Sequence, residues 1–269
     1  MALSRRLAII AGGFGGLGTA TGRILRAKGA HLALLYAPFE KLRKDEVLEN
    51  GYGKPESGDI STYECDITSE QSVATAFGSI SKDISTAAFP SILINAAGYV
   101  SVQPLEDTSA EEASKNLDNN LLGPIIVSTA FARLFWENAE KTKASDGGHA
   151  VPPGRIVSIS SQAAHTALDL HGAYCASKAG LMGLTRCMAN EWGSRGITAN
   201  TVSPTVAMTT LGKKAWADPE RRDAFLKQIP TGRFAEPEEI GQAIAFLCRD
   251  DSGMINGADI RVDGGFTIH

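Results

Sequence analysis

Apolar residues fall along this chain in two alternating rhythms. Short, near-continuous runs occupy Leu7–Ala11, His31–Tyr36, Ser61–Cys65, Ser91–Asn95, Arg155–Ile159, Thr198–Val202 and Asp259–Val262. Runs of this length suit parallel strands buried on both faces. Between them, apolar positions recur at helical spacing near 16–28, 39–49, 69–83, 109–140, 173–193 and 236–248. Strand and helix alternating in this way predict an α/β fold, a doubly wound sheet of seven parallel strands. No mid-chain stretch reads as a linker, so residues 1–269 are expected to form a single domain.

Two segments break the alternation. Glu140–Gly154 carries Lys-Thr-Lys-Ala-Ser-Asp-Gly-Gly and Pro152-Pro153-Gly154, the composition of an exposed loop leading into the fifth strand. Thr205–Pro230 has short helical patterns around Trp216 and follows a strand end. Doubly wound folds place ligands and movable covers at such ends, so 205–230 reads as a substrate lid.

Charge and cysteine usage narrow the function classes. Against 26 Lys and Arg stand 30 Asp and Glu, and the basic residues are scattered, which argues against a nucleic-acid or anionic-membrane partner. Cys65, Cys175, Cys187 and Cys248 are far apart and form no Cys-x-x-Cys pair. They read as reduced thiols of a cytoplasmic protein, with no metal site. The first apolar stretch is too short to span a membrane, and neither end reads as a secretion, lipidation or retention signal.

The chemistry concentrates in Tyr174-Cys-Ala-Ser-Lys178, with Ser161 upstream. Residues four apart share a helix face, so a phenol stands beside an ammonium. That charge is expected to pull the tyrosine pKa down from its usual value of about 10, toward proton exchange with a carbonyl or alcohol oxygen. Ser161 would offer a hydroxyl to the same oxygen. Taken alone, the pentapeptide fits a solvated helical pair equally well.

A cofactor site elsewhere in the chain weighs against the blander reading. Gly12, Gly16 and Gly18 follow the first strand and open the first helix, where a backbone free of side chains can approach a pyrophosphate. Asp66 ends the third strand, within reach of an adenine amino group or as a helix-starting residue. Asn95-Ala-Ala-Gly98 ends the fourth strand and permits close approach of a ribose, or is an ordinary turn. The second strand ends in Tyr36-Ala37-Pro38-Phe39, without the acid that reads a ribose 2′-hydroxyl or the arginine that reads a 2′-phosphate. Lys41, Arg43 and Lys44 lie nearby, so NAD(H) and NADP(H) both stay open.

Together these motifs, with Asn120-Leu-Leu-Gly123 and Ser203-Pro204, resemble the short-chain dehydrogenase/reductase family across essentially the whole chain. The resemblance implies a Rossmann-type sheet, hydride transfer to or from a nicotinamide, and a homotetramer joined through the helices of 109–140 and 173–193 and the C-terminal segment. It implies Tyr174 as general acid or base, Lys178 lowering its pKa and holding the nicotinamide ribose, Ser161 orienting the substrate oxygen, and Asn120 supporting a relay water. The implied cofactor contacts are Gly12, Phe14, Gly16, Leu17, Gly18, Tyr36, Ala37, Asp66, Ile67, Asn95, Ala96, Gly98, Tyr174, Lys178, Pro204, Val206 and Met208. Two departures stand out: Ala11 replaces the usual threonine, and Thr205 the usual glycine.

Within the family, Ser160-Ser161-Gln162, His171, the Pro204–Gly212 stretch and Trp216 resemble the L-xylulose reductase (dicarbonyl reductase) branch. There, residues matching Ser161, Gln162, Leu168, His171 and Trp216 line the substrate pocket. Gln162 and His171 would hydrogen-bond a polyol and Trp216 would wall it in. NADPH-using members carry basic residues where this chain has Gly15 and Ala37. The expected reaction is reversible interconversion of a small-molecule ketone and secondary alcohol, with L-xylulose and xylitol first among short ketose and polyol pairs. Reduction of bulkier 3-oxoacyl, steroid or secondary-metabolite ketones is the alternative. A non-catalytic dinucleotide sensor would not need the serine, tyrosine and lysine.

Overall fold

The computed structural model describes residues 3–53, 58–84, 88–144 and 150–268. Its centre is a sheet of seven parallel strands: β1 Arg6–Ala11, β2 His31–Tyr36, β3 Ile60–Glu64, β4 Phe89–Asn95, β5 Gly154–Ile159, β6 Ile197–Pro204 and β7 Asp259–Val262. Their order across the sheet is β3-β2-β1-β4-β5-β6-β7. The order reverses between β1 and β4, the place where doubly wound sheets open a crevice at their carboxyl ends.

Alternate residues of each strand feed two separate cores. Ile9, Ala11, Leu35, Leu93 and Ile156 join α3 (Glu70–Asp83), α5 (Gly123–Ala144) and α6 (Gly172–Trp192) on one face. Ala8, Ile10, Leu34, Ile94 and Val157 meet α1 (Gly16–Ala27) and α9 (Pro237–Leu247) on the other. The period-two geometry of a strand makes this split unavoidable once both faces are apolar. The helices on the second face come close: a Cβ on Gly241 would lie 2.7 Å from Ile24 Cδ1.

Every expected strand forms, within a residue or two at most ends, whereas two expected helices are broken. The 109–140 pattern divides into α4 (Ala110–Leu117), a π-helical turn at Asp118–Leu122, and α5. Pro124 explains the break, because it has no N–H to return to the carbonyl of Asn120 four residues earlier. The 39–49 pattern becomes a 3₁₀ turn at Pro38–Arg43, a short α2 (Lys44–Glu46) and a π turn at Val47–Tyr52.

The expected loop at Glu140–Gly154 starts later than its composition implied, since α5 continues to Ala144; residues 145–149 lie outside the described residues. The 205–230 segment folds into α7 (Thr210–Ala215) and α8 (Pro219–Leu226). Thr209 caps the first, accepting from Gly212 N, and Asp218 caps the second, accepting from Glu220 N. Among the described residues no helix is long and apolar enough to cross a membrane.

Phe131 of α5 is fully buried beneath the sheet beside Phe135, their ring centroids 6.3 Å apart. Phe131→Ala is expected to lower the unfolding free energy by about 3–5 kcal/mol, read as a shift of the urea midpoint.

Candidate active site

The turn after β1 leaves no room for side chains. Gly12 has φ +79°, and a Cβ there would lie 2.5 Å from Ala97 N in the turn after β4. A Cβ on Gly18 would sit 2.1 Å from Gly12 O. Gly15 holds the N-cap position of α1 and gives the helix no side-chain cap. An uncapped N-terminus with a bare backbone is a ready-made seat for a pyrophosphate. The turn is braced from below by Tyr52, whose hydroxyl donates to Gly13 O at 2.6 Å. It opens onto a cleft of about 760 Å³ between α1, the 38–52 connection and α7. These features fit a dinucleotide cofactor.

Of the other expected cofactor residues, Phe14 and Met208 line this cleft, and most of the rest lie at the ends of β2, β3, β4 and β6. Phe14 and Tyr36 are buried and stacked, with centroids 4.7 Å apart and planes within 3°. Ala37 is half-buried beside them, and Leu17 packs on the core below α1. Ile67 packs against the bare backbone of Gly123. Ala96 N donates to Ala11 O, joining the two turns.

The side chain of Asn95 faces inward. Its amide donates to Ser128 Oγ and Ser158 Oγ at 3.1 and 3.0 Å, tying β4 to α5 and β5. Asp66 Oδ1 accepts from the backbone and hydroxyl of Thr68, while Ser69 rather than Asp66 caps α3. Pro204 ends β6 opposite Val262. Val206 and Met208 pair with Ala235, anchoring the base of the 205–230 segment.

The proton-bearing groups meet at the carboxyl ends of β4, β5 and β6. Ser161 follows β5, is buried, and its Oγ accepts from Ala163 N. Tyr174 and Lys178 lie one turn apart on α6, with Lys178 Nζ 5.7 Å from the tyrosine ring centre. Lys178 Nζ also donates to Ile159 O at 2.8 Å, tying the helix to the end of β5. Asn120, in the π turn, is almost fully buried. Its Oδ1 accepts from Tyr99 N, and its Nδ2 donates to Tyr99 O and to Ser177 Oγ. Gly98 lets these parts converge, since a Cβ there would lie 3.0 Å from Asn120 Oδ1 and 3.6 Å from Lys178 Nζ.

The electrostatics differ from the sequence-based expectation. Burial pushes Tyr174 above the usual phenol value, and a hydrogen bond with Ser161 opposes the shift without reversing it. Lys178 is the group pulled down, to about 8, by burial. Burial disfavours the charged form of both residues, and this sets the direction of both shifts.

On the substrate side, His171 stands at the N-terminus of α6, its ring edge-on to Tyr174 at 6.1 Å. Its Nδ1 bonds the carbonyl of Asp169 at 2.6 Å. Leu168 is half-buried, and its carbonyl accepts from His171 N. Gln162 is nearly fully buried, and its Oε1 has no protein partner. Trp216 packs instead among Phe225 and Phe234, at 4.7 and 5.2 Å, and Phe225 stacks on Phe266 near the C-terminus. This cluster fastens the 205–230 segment to the end of the chain.

Two residues that the sequence pattern did not single out sit beside the glycine turn. A Cβ on Gly16 would meet Thr209 Cγ2 at 2.6 Å, so α7 is seated directly on the turn. Glu40 folds back onto the end of β2, its Oε2 accepting from Ala37 N at 3.0 Å. The signal for Glu40 was its place three residues after Ala37, from which a glutamate can accept from the backbone N–H that opens a helical turn; it becomes meaningful only once Pro38 is known to start one.

Comparison with known proteins gives a consistent picture. A family model described as "Enoyl-(Acyl carrier protein) reductase" (adh_short_C2) matches residues 12–267. A D-threitol dehydrogenase of Mycolicibacterium smegmatis is 39% identical over 266 residues, covering 99% of this chain and 94% of the relative. An NAD-dependent glycerol dehydrogenase of Listeria innocua is 33% identical, covering 99% and 95%, and a Mus musculus L-xylulose reductase is 34% identical, covering 99% and 98%. Among solved structures, that of levodione reductase matches with a TM-score of 0.83 at 27% identity, covering 99% of each chain.

Lys178 generates a prediction of its own. With its pKa at about 8 in the fold against 10.5 for the free side chain, the folded protein binds fewer protons than the unfolded chain between those values. Its stability therefore rises with pH across that window. Lys178→Met is expected to be more resistant to urea than the parent below pH 8, with the gap closing by pH 10.5. Denaturant midpoints at pH 7, 9 and 10.5 measure this.

Proposed function

We propose, from the premise that this chain belongs to the short-chain dehydrogenase/reductase family and is an NAD(P)-dependent dehydrogenase acting on CH–OH groups, that its substrates are short polyols and their ketoses. The observation that carries the proposal is the convergence of Ser161, Tyr174 and Lys178 beside a glycine turn fitted to a dinucleotide. The relatives' names support the substrate class, since threitol, glycerol and L-xylulose are all small and polyhydroxylated. Pairs of three to five carbons, L-xylulose and xylitol among them, are the first to test.

When bound, the nicotinamide supplies or accepts the hydride. The protein handles the proton at the substrate oxygen. Tyr174, held protonated by burial, donates to the carbonyl oxygen in reduction and takes the proton back in oxidation. Ser161 hydrogen-bonds the same oxygen and fixes its position. The Lys178 ammonium, charged below pH 8, favours the transient phenolate and can bond the nicotinamide ribose. Asn120 is the positioning residue, holding the turn at Tyr99 against Ser177 of α6, next to Lys178.

Gln162 and His171 would bond the remaining hydroxyls, and the unpartnered Oε1 of Gln162 would discriminate against ligands that offer it no donor. The 205–230 segment serves as the lid, with Trp216 in its aromatic anchor. Exposed Leu117, Leu122 and Ile125 on α4, the π turn and α5 support self-association into a homotetramer.

Initial rates with threitol, erythrulose, xylitol and L-xylulose, set against apolar ketones of similar size, test the substrate class. Faster turnover of the apolar ketones would sink it. Tyr174→Phe is expected to lower kcat by about 10²–10⁴-fold while leaving the Kd for the reduced cofactor, read by fluorescence, nearly unchanged.

A further inference from the structure

We propose that Glu40 reads the adenosine ribose of the cofactor and makes this protein prefer NAD(H) to NADP(H). The inference rests on the glycine turn being a dinucleotide site, as argued above. Position relative to the end of β2 is what matters, because that strand end faces the ribose next to the pyrophosphate. Tyr36, the last residue of β2, is buried in its stack with Phe14, and Ala37 has no polar group. The backbone there turns directly into Pro38, and Glu40 swings back to bond Ala37 N. A carboxylate therefore stands at the place where the strand itself offers no reader.

Glu40 also lines the same cleft as Phe14, Gly15 and Gly16. The bond from Ala37 uses one acceptor site, and a carboxylate has about four, so capacity remains for a ribose 2′-hydroxyl. A 2′-phosphate at the same spot would meet like charge.

The neighbouring cations are unequally placed to offset that repulsion. Lys41 turns away to Glu64 at 3.0 Å, and Arg23 is paired with Glu238. Arg43, Lys213 and Lys214 do line the cleft, together with Glu46. Arg43 is exposed at the far end of the 3₁₀ turn, and the two lysines project from α7, outside the 38–52 connection. None of them is bonded to the end of β2, whereas Glu40 is.

The test is equilibrium binding of NADH and NADPH, followed by quenching of intrinsic fluorescence, to the parent protein and to Glu40→Gln, Glu40→Ala and Arg43→Gln. Glutamine keeps an oxygen to accept from Ala37 N while removing the charge. The parent is expected to bind NADH at least about tenfold more tightly than NADPH, and Glu40→Gln to bring the two within about threefold. Glu40→Ala should lose selectivity equally, with a lower Tm from the lost cap. A purely structural cap would lower Tm and leave the ratio unmoved.

Equal or tighter binding of NADPH by the parent overturns the proposal, as does an unchanged ratio in Glu40→Gln. Selective loss of NADPH binding in Arg43→Gln also overturns it and assigns the phosphate to Arg43. If the parent binds neither dinucleotide, the failure lies with the dinucleotide reading itself.

Discussion

The site depends on one close approach, the contact of the turn after β1 with the turn after β4. Gly12 lies so near Ala97 that no side chain fits between them, and Ala96 N closes the contact by donating to Ala11 O. Parallel strands alone bring these ends side by side. It is the absence of Cβ atoms that lets the backbone form a floor and leaves the first turn of α1 open to an anion. Gly98, one residue beyond this contact, is where Asn120 and Lys178 come closest to the same floor. The glycine turn and the cluster of Asn120 and Lys178 are thus two sides of a single packing constraint.

A second feature follows from burial. It disfavours the charged forms of both side chains: it raises the pKa of Tyr174 and lowers that of Lys178 to about 8. Its ammonium is retained at neutral pH with help from Ile159 O, which fixes the direction in which it points. A group held this way is poised to respond to small changes in its neighbours. The aromatic cluster of Trp216, Phe225, Phe234 and Phe266 fixes the 205–230 segment, joining it to Phe266 rather than to α6.

Particular residues show where sequence reading succeeds and where it stops. The five inner strands were legible because burial on both faces makes short apolar runs unavoidable, and the partly exposed edge strands β3 and β7 because they continue the alternation with helices. The glycine turn and the Tyr174–Lys178 pair were legible because their geometry is local, set by spacing along one turn or one helix. The broken helices were not, although Pro124 was visible: a proline signals a break, but whether the chain kinks, stops or widens into a π turn depends on what packs around it. Asn95 was legible as the start of a turn open to close backbone approach, but not the partners of its side-chain amide, Ser128 and Ser158, which lie far away in the chain.

By itself, then, the sequence determined the layered α/β architecture, the bare backbone of the turn after β1 and the spacing of the proton-bearing residues. All of these are consequences of periodicity and of side-chain size. The tertiary structure alone decided the sign of the Tyr174 shift, the inward turn of Asn95, the seating of Thr209 on Gly16 and the return of Glu40 to the end of β2. The physical reason is common to these. Desolvation and hydrogen-bond choice depend on which groups are brought together from distant parts of the chain, and residue spacing carries no record of that.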